Sequence, residues 1–315
     1  MVRVHVVIVT AEPLGAYHLE PLHASMREAA RNGNQFTHLI PYPETVQGTP
    51  WDAVTANIGI LEQAHLVVLT GGGFTTWTEL VARRCEQLNI PFVLTELAYG
   101  TQTERRNLPV PVAISALSPA GAENLAHYHK VDIGSVVVTG TPLLDSLPAW
   151  EPTPGHVLIL SSVGATQRDP GQLLITIARN LEQTGHDVVI RCHPREDRTP
   201  WSDFAIDMCK TPAEGARNAE RVVGYPGSAH AIVAALGVPV VAVAPNLEMR
   251  RALPAQLAAA IPTWVSNTDD IKIILSAPPT DAALITFVNG PIGGSSARVV
   301  EFWLKQAGKS VGQRL

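Results

Sequence analysis

Short runs of β-branched and other apolar residues alternate along this chain with longer stretches in which apolar residues recur at helical spacing. The runs predict strands at Val4–Thr10, Thr37–Pro41, Leu66–Thr70, Phe92–Thr95 and Val136–Thr139, with helices near Leu19–Arg31, Val54–Gln63 and Thr76–Leu88 between them. A Pro-rich passage, Leu147–Gly155 (LPAWEPTPG), then reads as a linker. The alternation restarts with strand His156–Leu160, a helix near Gly171–Thr184 and strand Asp187–Arg191. Later strands are expected at Val222–Val223, Val240–Ala244 and near Trp264–Val265, before a final amphipathic helix over Ser296–Gln306. Strands apolar on both faces belong in parallel sheets covered by helices. The pattern therefore predicts two doubly wound, Rossmann-like α/β domains, 1–148 and 149–315, facing a central cleft.

One passage carries candidate chemistry. Val222 to Val241 (VVGYPGSAHAIVAALGVPVV) joins a turn of small residues to an apolar helix and a buried strand. Gly224, Pro226, Gly227 and Ser228 would let bare backbone approach a ligand, and the free N–H groups of the following helix favour an anion. Gly227, Ser228 and His230 are thus candidate phosphate ligands, although such turns also close ordinary αβ connections. Upstream, the strand around Val188–Ile190 runs into Arg191-Cys192-His193-Pro194-Arg195-Glu196-Asp197. Ligands of open parallel sheets sit at the carboxyl ends of strands, so Arg191, His193 and Arg195 would face the same crevice. Pro194 biases His193 to extended backbone. The plainer reading is an αβ loop whose Arg and Glu pair in solvent. Ser161 and Ser162 could bond a phosphate or cap the next turn.

Composition narrows the function classes. At 315 residues the chain can build two cores, and 46% hydrophobic against 16% charged residues suits buried sheets. A net charge of −5 with both signs scattered gives no electrostatic footprint for nucleic acid. Cys85, Cys192 and Cys209, without a CxxC, argue against a disulfide framework or a structural zinc site, and a reducing cytoplasmic setting is expected. The opening MVRVHVVIVTAEP is interrupted by Arg3 and His5 and reads as a strand and not a signal peptide. No apolar run approaches the roughly 18 residues of a membrane span, which leaves room only for peripheral membrane contact. His127 and His129 do not share a helical face, and no metal site is expected. The six tryptophans are dispersed as packing residues would be.

Segments across most of the chain resemble a known family. Leu66 to Gly100, Val137 to Leu147 (VVTGTPLLDSL), the Gly-turn helix and Asn289 to Phe302 (NGPIGGSSARVVEF) are similar to segments of the UDP-N-acetylglucosamine 2-epimerases. Those belong to the GT-B superfamily together with many nucleotide-sugar glycosyltransferases. His193 to Glu196 (HPRE) also resembles the His-Pro motif of bacterial sialyltransferase, polysialyltransferase and glycerophosphotransferase groups. The resemblance implies a GT-B fold whose C-terminal helix packs back across the domains, with an acceptor-side N-terminal half and a donor-binding C-terminal half.

The departures bear on activity. Where the epimerases carry an acid in a Gly-Asp-Thr turn, this chain has Gly71-Gly72-Gly73, and the Pro-Glu-Glu-x-Asn-Arg segment is reduced to a loose echo, Glu104-Arg105-Arg106-Asn107. Ser161-Ser162-Val163-Gly164 replaces the expected His-Arg motif, and Ile232 stands where an acid commonly meets the nucleotide ribose. Epimerisation needs several positioned acids and bases, so their loss counts against it.

Glycosyl transfer asks for less. His193, Arg195 and the Gly227–Ser228 turn could hold a donor phosphate and stabilise the leaving charge. One base must take the acceptor proton, and the candidates are Glu96, at the position of a family glutamate, then Glu12 and His18. Glu96 could equally be a cap or a surface acid. Gly72, Gly73 and Gly140 are expected to line the cleft. The expectation is a metal-independent transfer from a nucleotide-sugar, UDP- or CMP/CDP-linked, to a glycan or small-molecule acceptor, without a cofactor and with a homodimer left open. The alternatives are a nucleotide-sugar epimerase and a catalytically silent binding or partner subunit.

Overall fold

The computed structural model describes residues 3–10, 19–39, 58–70, 76–97, 109–161, 172–193, 196–244, 261 and 263–314. The chain divides into two compact units, Met1–Asp145 with Gly290–Leu315, and Ser146–Asn289.

The first unit runs β1 (His5–Thr10), α1 (His23–Arg31), β2 (Gln35–Leu39), α2 (Ile58–Glu62), β3 (Leu66–Thr70), α3 (Thr76–Gln87), β4 (Phe92–Thr95), β5 (Ala113–Ala116), α4 (Pro119–His129) and β6 (Val136–Val138). Its six strands form one parallel sheet in the order β2-β1-β3-β4-β5-β6. β1, β3, β4 and β5 are buried along their whole length, which is why β1, β3 and β4 read as largely apolar runs. One face, through Val7, Val9, Val67 and Leu69, packs on Leu61, Val81, Cys85 and Leu125 from α2, α3 and α4.

The second unit runs β7 (His156–Leu160), α5 (Gln172–Gln183), β8 (Asp187–Arg191), β9 (Ala205–Ile206), α6 (Pro212–Ala216), β10 (Arg221–Gly224), α7 (Ser228–Ala234), β11 (Val240–Val243), β12 (Thr263–Val265), α8 (Ile271–Leu275) and α9 (Ala282–Asn289). Its parallel sheet has the order β12-β11-β10-β7-β8-β9, the doubly wound arrangement in which the chain direction across the sheet reverses between β7 and β10. Val157, Ile159 and Val223 pack on Leu174, Ile177 and Leu181 of α5 and on Trp201, while Leu158, Leu160 and Val222 pack on Ala216, Val233 and Ala234 on the opposite face.

The last helix, α10 (Ser295–Arg314), lies in the first unit. Its Val299, Val300, Phe302, Trp303 and Ala307 cover the second face of that sheet with Val6, Ile8, Val68 and Val93. The sequence reading assigned 149–315 to the second domain; the residues from Gly290 onward instead complete the first unit's core.

Two further differences have local causes. The segment expected as a linker is docked on the second unit: Trp150 Nε1 donates to the Ala219 carbonyl at 2.8 Å, and the Glu151 and Thr153 amides donate to Arg217 and Asn218 at 3.0 and 2.9 Å. β5 and α4 went unpredicted because Ser115 interrupts the apolar run. Buried Ser115 is satisfied by Thr139, with the two hydroxyl oxygens 2.7 Å apart, and Ser118 caps α4 by accepting from the Gly121 amide at 3.1 Å. On α4, His129 is buried and His127 exposed, on opposite faces. No helix among the described residues is long and apolar enough to cross a membrane.

Candidate functional site

The strand reversal in the second unit leaves the carboxyl ends of β7 and β10 side by side. Gly224 pairs with Leu160 there, and the Tyr225 amide donates to the Leu160 carbonyl at 3.2 Å. A Cβ on Gly224 would strike that carbonyl, so the glycine is required by the close approach of two strands. Beyond it, Gly227 is the residue preceding α7, in fully extended backbone, and space opens beside its Cα. Ser228 is exposed. Both stay available to a ligand at the switch point of the sheet.

His230 does not join them. It is 1% exposed, and neither ring nitrogen meets a partner at hydrogen-bonding geometry. Burial drives its pKa down to about 4 against a modest opposing pull from the Gly224 and Val241 backbone, so the ring is neutral at pH 7. Buried to this degree the ring is not open to a ligand, unlike Ser228 beside it, which sets it apart from the phosphate ligands expected from sequence.

Arg191 is also corrected. Its guanidinium donates to Asp207 at 2.5 Å and to the carbonyls of Cys209 and Lys210 at 3.0 and 3.4 Å. The pair is well buried, with side-chain exposures of 17% and 6%. Burial works against ionisation of Asp207, but hydrogen bonds from Cys209 and Arg191 outweigh it and hold the carboxyl below its ordinary range. Arg191 therefore ties the ends of β8 and β9 together.

Ser161 and His193 do come together, around a residue that sequence reasoning passed over. Glu196 Oε2 accepts from the Ser161 hydroxyl and from the His193 amide at 3.1 Å, while Oε1 accepts from Trp201 Nε1 at 3.2 Å. The Glu196 amide donates back to the His193 carbonyl at 2.9 Å, the spacing of a β-turn. The signal was present in the HPRE string, since proline at the second of four positions favours such a turn. Burial, then the Glu196 charge, pushes the neighbouring Cys192 thiol up. Ser162 and Arg195 lie outside the described residues.

In the first unit the direction reverses between β1 and β3, where Thr10 and Thr70 face each other, both buried. Glu12, His18, Gly72 and Gly73 follow these two strands in sequence and lie outside the described residues. Glu96 follows β4, one strand away. It is 2% exposed, and its Oε2 accepts from the Leu117 amide at 3.0 Å, so it joins the ends of β4 and β5. Gly140 is buried with φ +87°; a Cβ there would come within 2.5 Å of both the Pro291 carbonyl and Ser295 Oγ. Its glycine requirement comes from the crossing of the C-terminal segment. Beside the switch point, His38 Nε2 lies 3.2 Å from Thr10 Oγ1, and burial, then His23, lowers its pKa. Among the described residues no three His, Cys, Asp or Glu side chains are grouped to hold a metal ion.

No family model matches the chain, and no curated protein matches it by sequence. Solved structures do. UDP-GlcNAc 2-epimerase from Methanocaldococcus jannaschii aligns at TM-score 0.63 and 14% identity, over 96% of this chain and 99% of that one. The UDP-GlcNAc 2-epimerase from Neisseria meningitidis, solved bound to UDP-GlcNAc, aligns at 0.61 and 15%, over 96% and 100%. MurG from Acinetobacter baumannii aligns at 0.57 and 14%, over 96% and 99%. With two six-stranded parallel sheets in doubly wound order, each covered by helices, the chain has the GT-B fold that these enzymes share.

Proposed function

We propose that this chain is a nucleotide-sugar enzyme of the glycosyltransferase type, moving a sugar from a UDP- or CMP/CDP-linked donor to an acceptor hydroxyl without a metal ion. The observation that carries the reading is the open Gly227–Ser228 turn after β10 at the strand reversal of the second unit, on the same sheet as β8, two strands away, after which His193 follows. Exposed backbone and a hydroxyl at such a reversal suit a phosphate group. His193 would stabilise the leaving charge, with Arg195 proposed beside it. Solved relatives in fold that are described as bound to UDP or UDP-GlcNAc support a nucleotide-sugar ligand.

For the acceptor proton, the buried contact of Glu96 with Leu117 favours a structural part for that residue. We therefore assign the base to Glu12 or His18. The epimerase reading has one specific observation in its favour, the high fold similarity to UDP-GlcNAc 2-epimerases; the missing acids oppose it.

The first experiment is a thermal-shift panel with UDP, UMP, CMP, CDP, GDP and dTDP, with EDTA and then with magnesium. A selective shift in EDTA is expected, since a ligand of the folded state raises stability by RT ln(1 + [L]/Kd). No shift with any nucleotide would favour a silent subunit. Incubation with UDP-GlcNAc in D2O separates the enzymatic readings, because epimerisation incorporates deuterium at the sugar C2 and transfer does not.

A further inference from the structure

The carboxylate of Glu196 gathers donors from three places. Ser161 follows β7, His193 follows β8, and Trp201, fully buried, belongs to the core of the second unit. All three donate to this one side chain, hydroxyl and backbone amide to Oε2 and indole to Oε1, with the His193 amide shared between Glu196 at 3.1 Å and the Ser161 oxygen at 3.2 Å. Because the Glu196 amide also donates to the His193 carbonyl, the backbone of His193 is held by hydrogen bonds on both its N–H and its C=O. The Ser161 hydroxyl has a single proton. Glu196 is its nearer acceptor, with the Arg191 carbonyl at 3.3 Å, so that proton is already committed.

Only a carboxylate can do this. A glutamine would turn its NH2 either against the Ser161 and His193 donors or against the Trp201 indole, leaving a donor facing a donor. Such an acceptor-only group, hydrogen-bonded to a core tryptophan, does not behave as a solvated surface acid.

We propose that Glu196 is the positioning residue of the donor end of the site, fixing the backbone of His193 against the end of β7 so that His193, and not the Ser161 hydroxyl, meets the donor phosphate. This rests on the nucleotide-sugar reading for the identity of the ligand, but the positioning itself belongs to the free protein.

The test compares the full-length wild type with Glu196→Gln and Glu196→Asp, using hydrogen exchange at the His193 amide without ligand and calorimetric titration with UDP. Glu196→Gln is expected to speed exchange at His193 by about tenfold or more and to weaken UDP by about tenfold, while exchange in β10 and β11 stays at the wild-type rate. Glu196→Asp, still acceptor-only but one methylene shorter, should recover part of both. Wild-type exchange at His193 in Glu196→Gln overturns the proposal. So does fast exchange with unchanged UDP affinity, which would reduce Glu196 to a structural tie. If the wild type itself does not bind UDP, the nucleotide-sugar reading falls for UDP, and exchange alone decides the positioning role. Should Glu196→Gln fail to fold, Trp201→Phe removes one of the three donors, and unchanged exchange at His193 in that variant overturns the proposal.

Discussion

Trp303 Nε1 donates to Thr95 Oγ1 at 2.8 Å, across 208 residues of chain, with both side chains fully buried. The bond joins α10 to the carboxyl end of β4, so the last segment of the chain is a working part of the first unit's core. Trp303→Phe would leave the Thr95 hydroxyl without its indole donor and open a void beside it. A loss of about 1–3 kcal/mol from the polar group alone is expected, more with the cavity, and a denaturant melt followed at a first-unit probe measures it. A wild-type midpoint would show that neither the bond nor the indole's packing adds measurably to stability.

Asp145 holds the start of the same helix. Its two carboxylate oxygens each accept from a backbone amide, Ser295 and Ser296, at 2.7 Å. Charged capping of this geometry contributes about 0.5–2 kcal/mol, so Asp145→Ala should lower stability by that amount and Asp145→Asn by less. Fraying should appear first as faster amide exchange at Ser295 and Ser296; protection equal to wild type would contradict the cap.

Gly224→Ala is expected to be among the most damaging single-methyl additions in the second unit, because the new Cβ would collide with the Leu160 carbonyl where β7 and β10 part. The strands would have to separate at the switch point. Poor expression, or a melting temperature depressed by several degrees, is the expected result. Gly227→Ala, facing open space, should fold normally.

His230 makes stability depend on pH. Its folded pKa of about 4 lies below the ordinary 6.5, so between those values the unfolded chain binds more protons than the folded one. The His230 contribution to stability therefore falls as pH drops from about 6.5 to about 4, by roughly 3 kcal/mol in all, and is constant above that window. His230→Leu removes both the titration and two unsatisfied ring nitrogens; the variant should match or exceed wild-type stability at pH 7 and lose the decline. A decline of the same size in the variant would assign the acid sensitivity to other groups.

The elements most legible in the sequence were those that bury both faces. β3, β4 and β7 lie at the residues expected, because a strand covered on two sides must be continuously apolar and its neighbours in sequence are not. β5 was not legible, since its Ser115 is acceptable in the core through Thr139, a partner just past the end of β6. The Gly227–Ser228 turn was readable from small residues ahead of an apolar helix. Arg191 and His230 were misread, because sequence shows that a residue is polar and not what it will face: one meets Asp207, the other an apolar interior.

By itself the sequence determined the local choices, namely which stretches form strands and helices, the parallel α/β class, and the glycine turns that end strands. Those follow from periodicity and backbone sterics, which act over a few residues. The tertiary structure decided the strand order that puts β7 beside β10, the return of α10 to the first unit, and the gathering of Ser161, His193 and Trp201 around Glu196. Each of these depends on partners distant in the chain, and a hydrogen-bond donor seeks whichever acceptor the packed core leaves within reach.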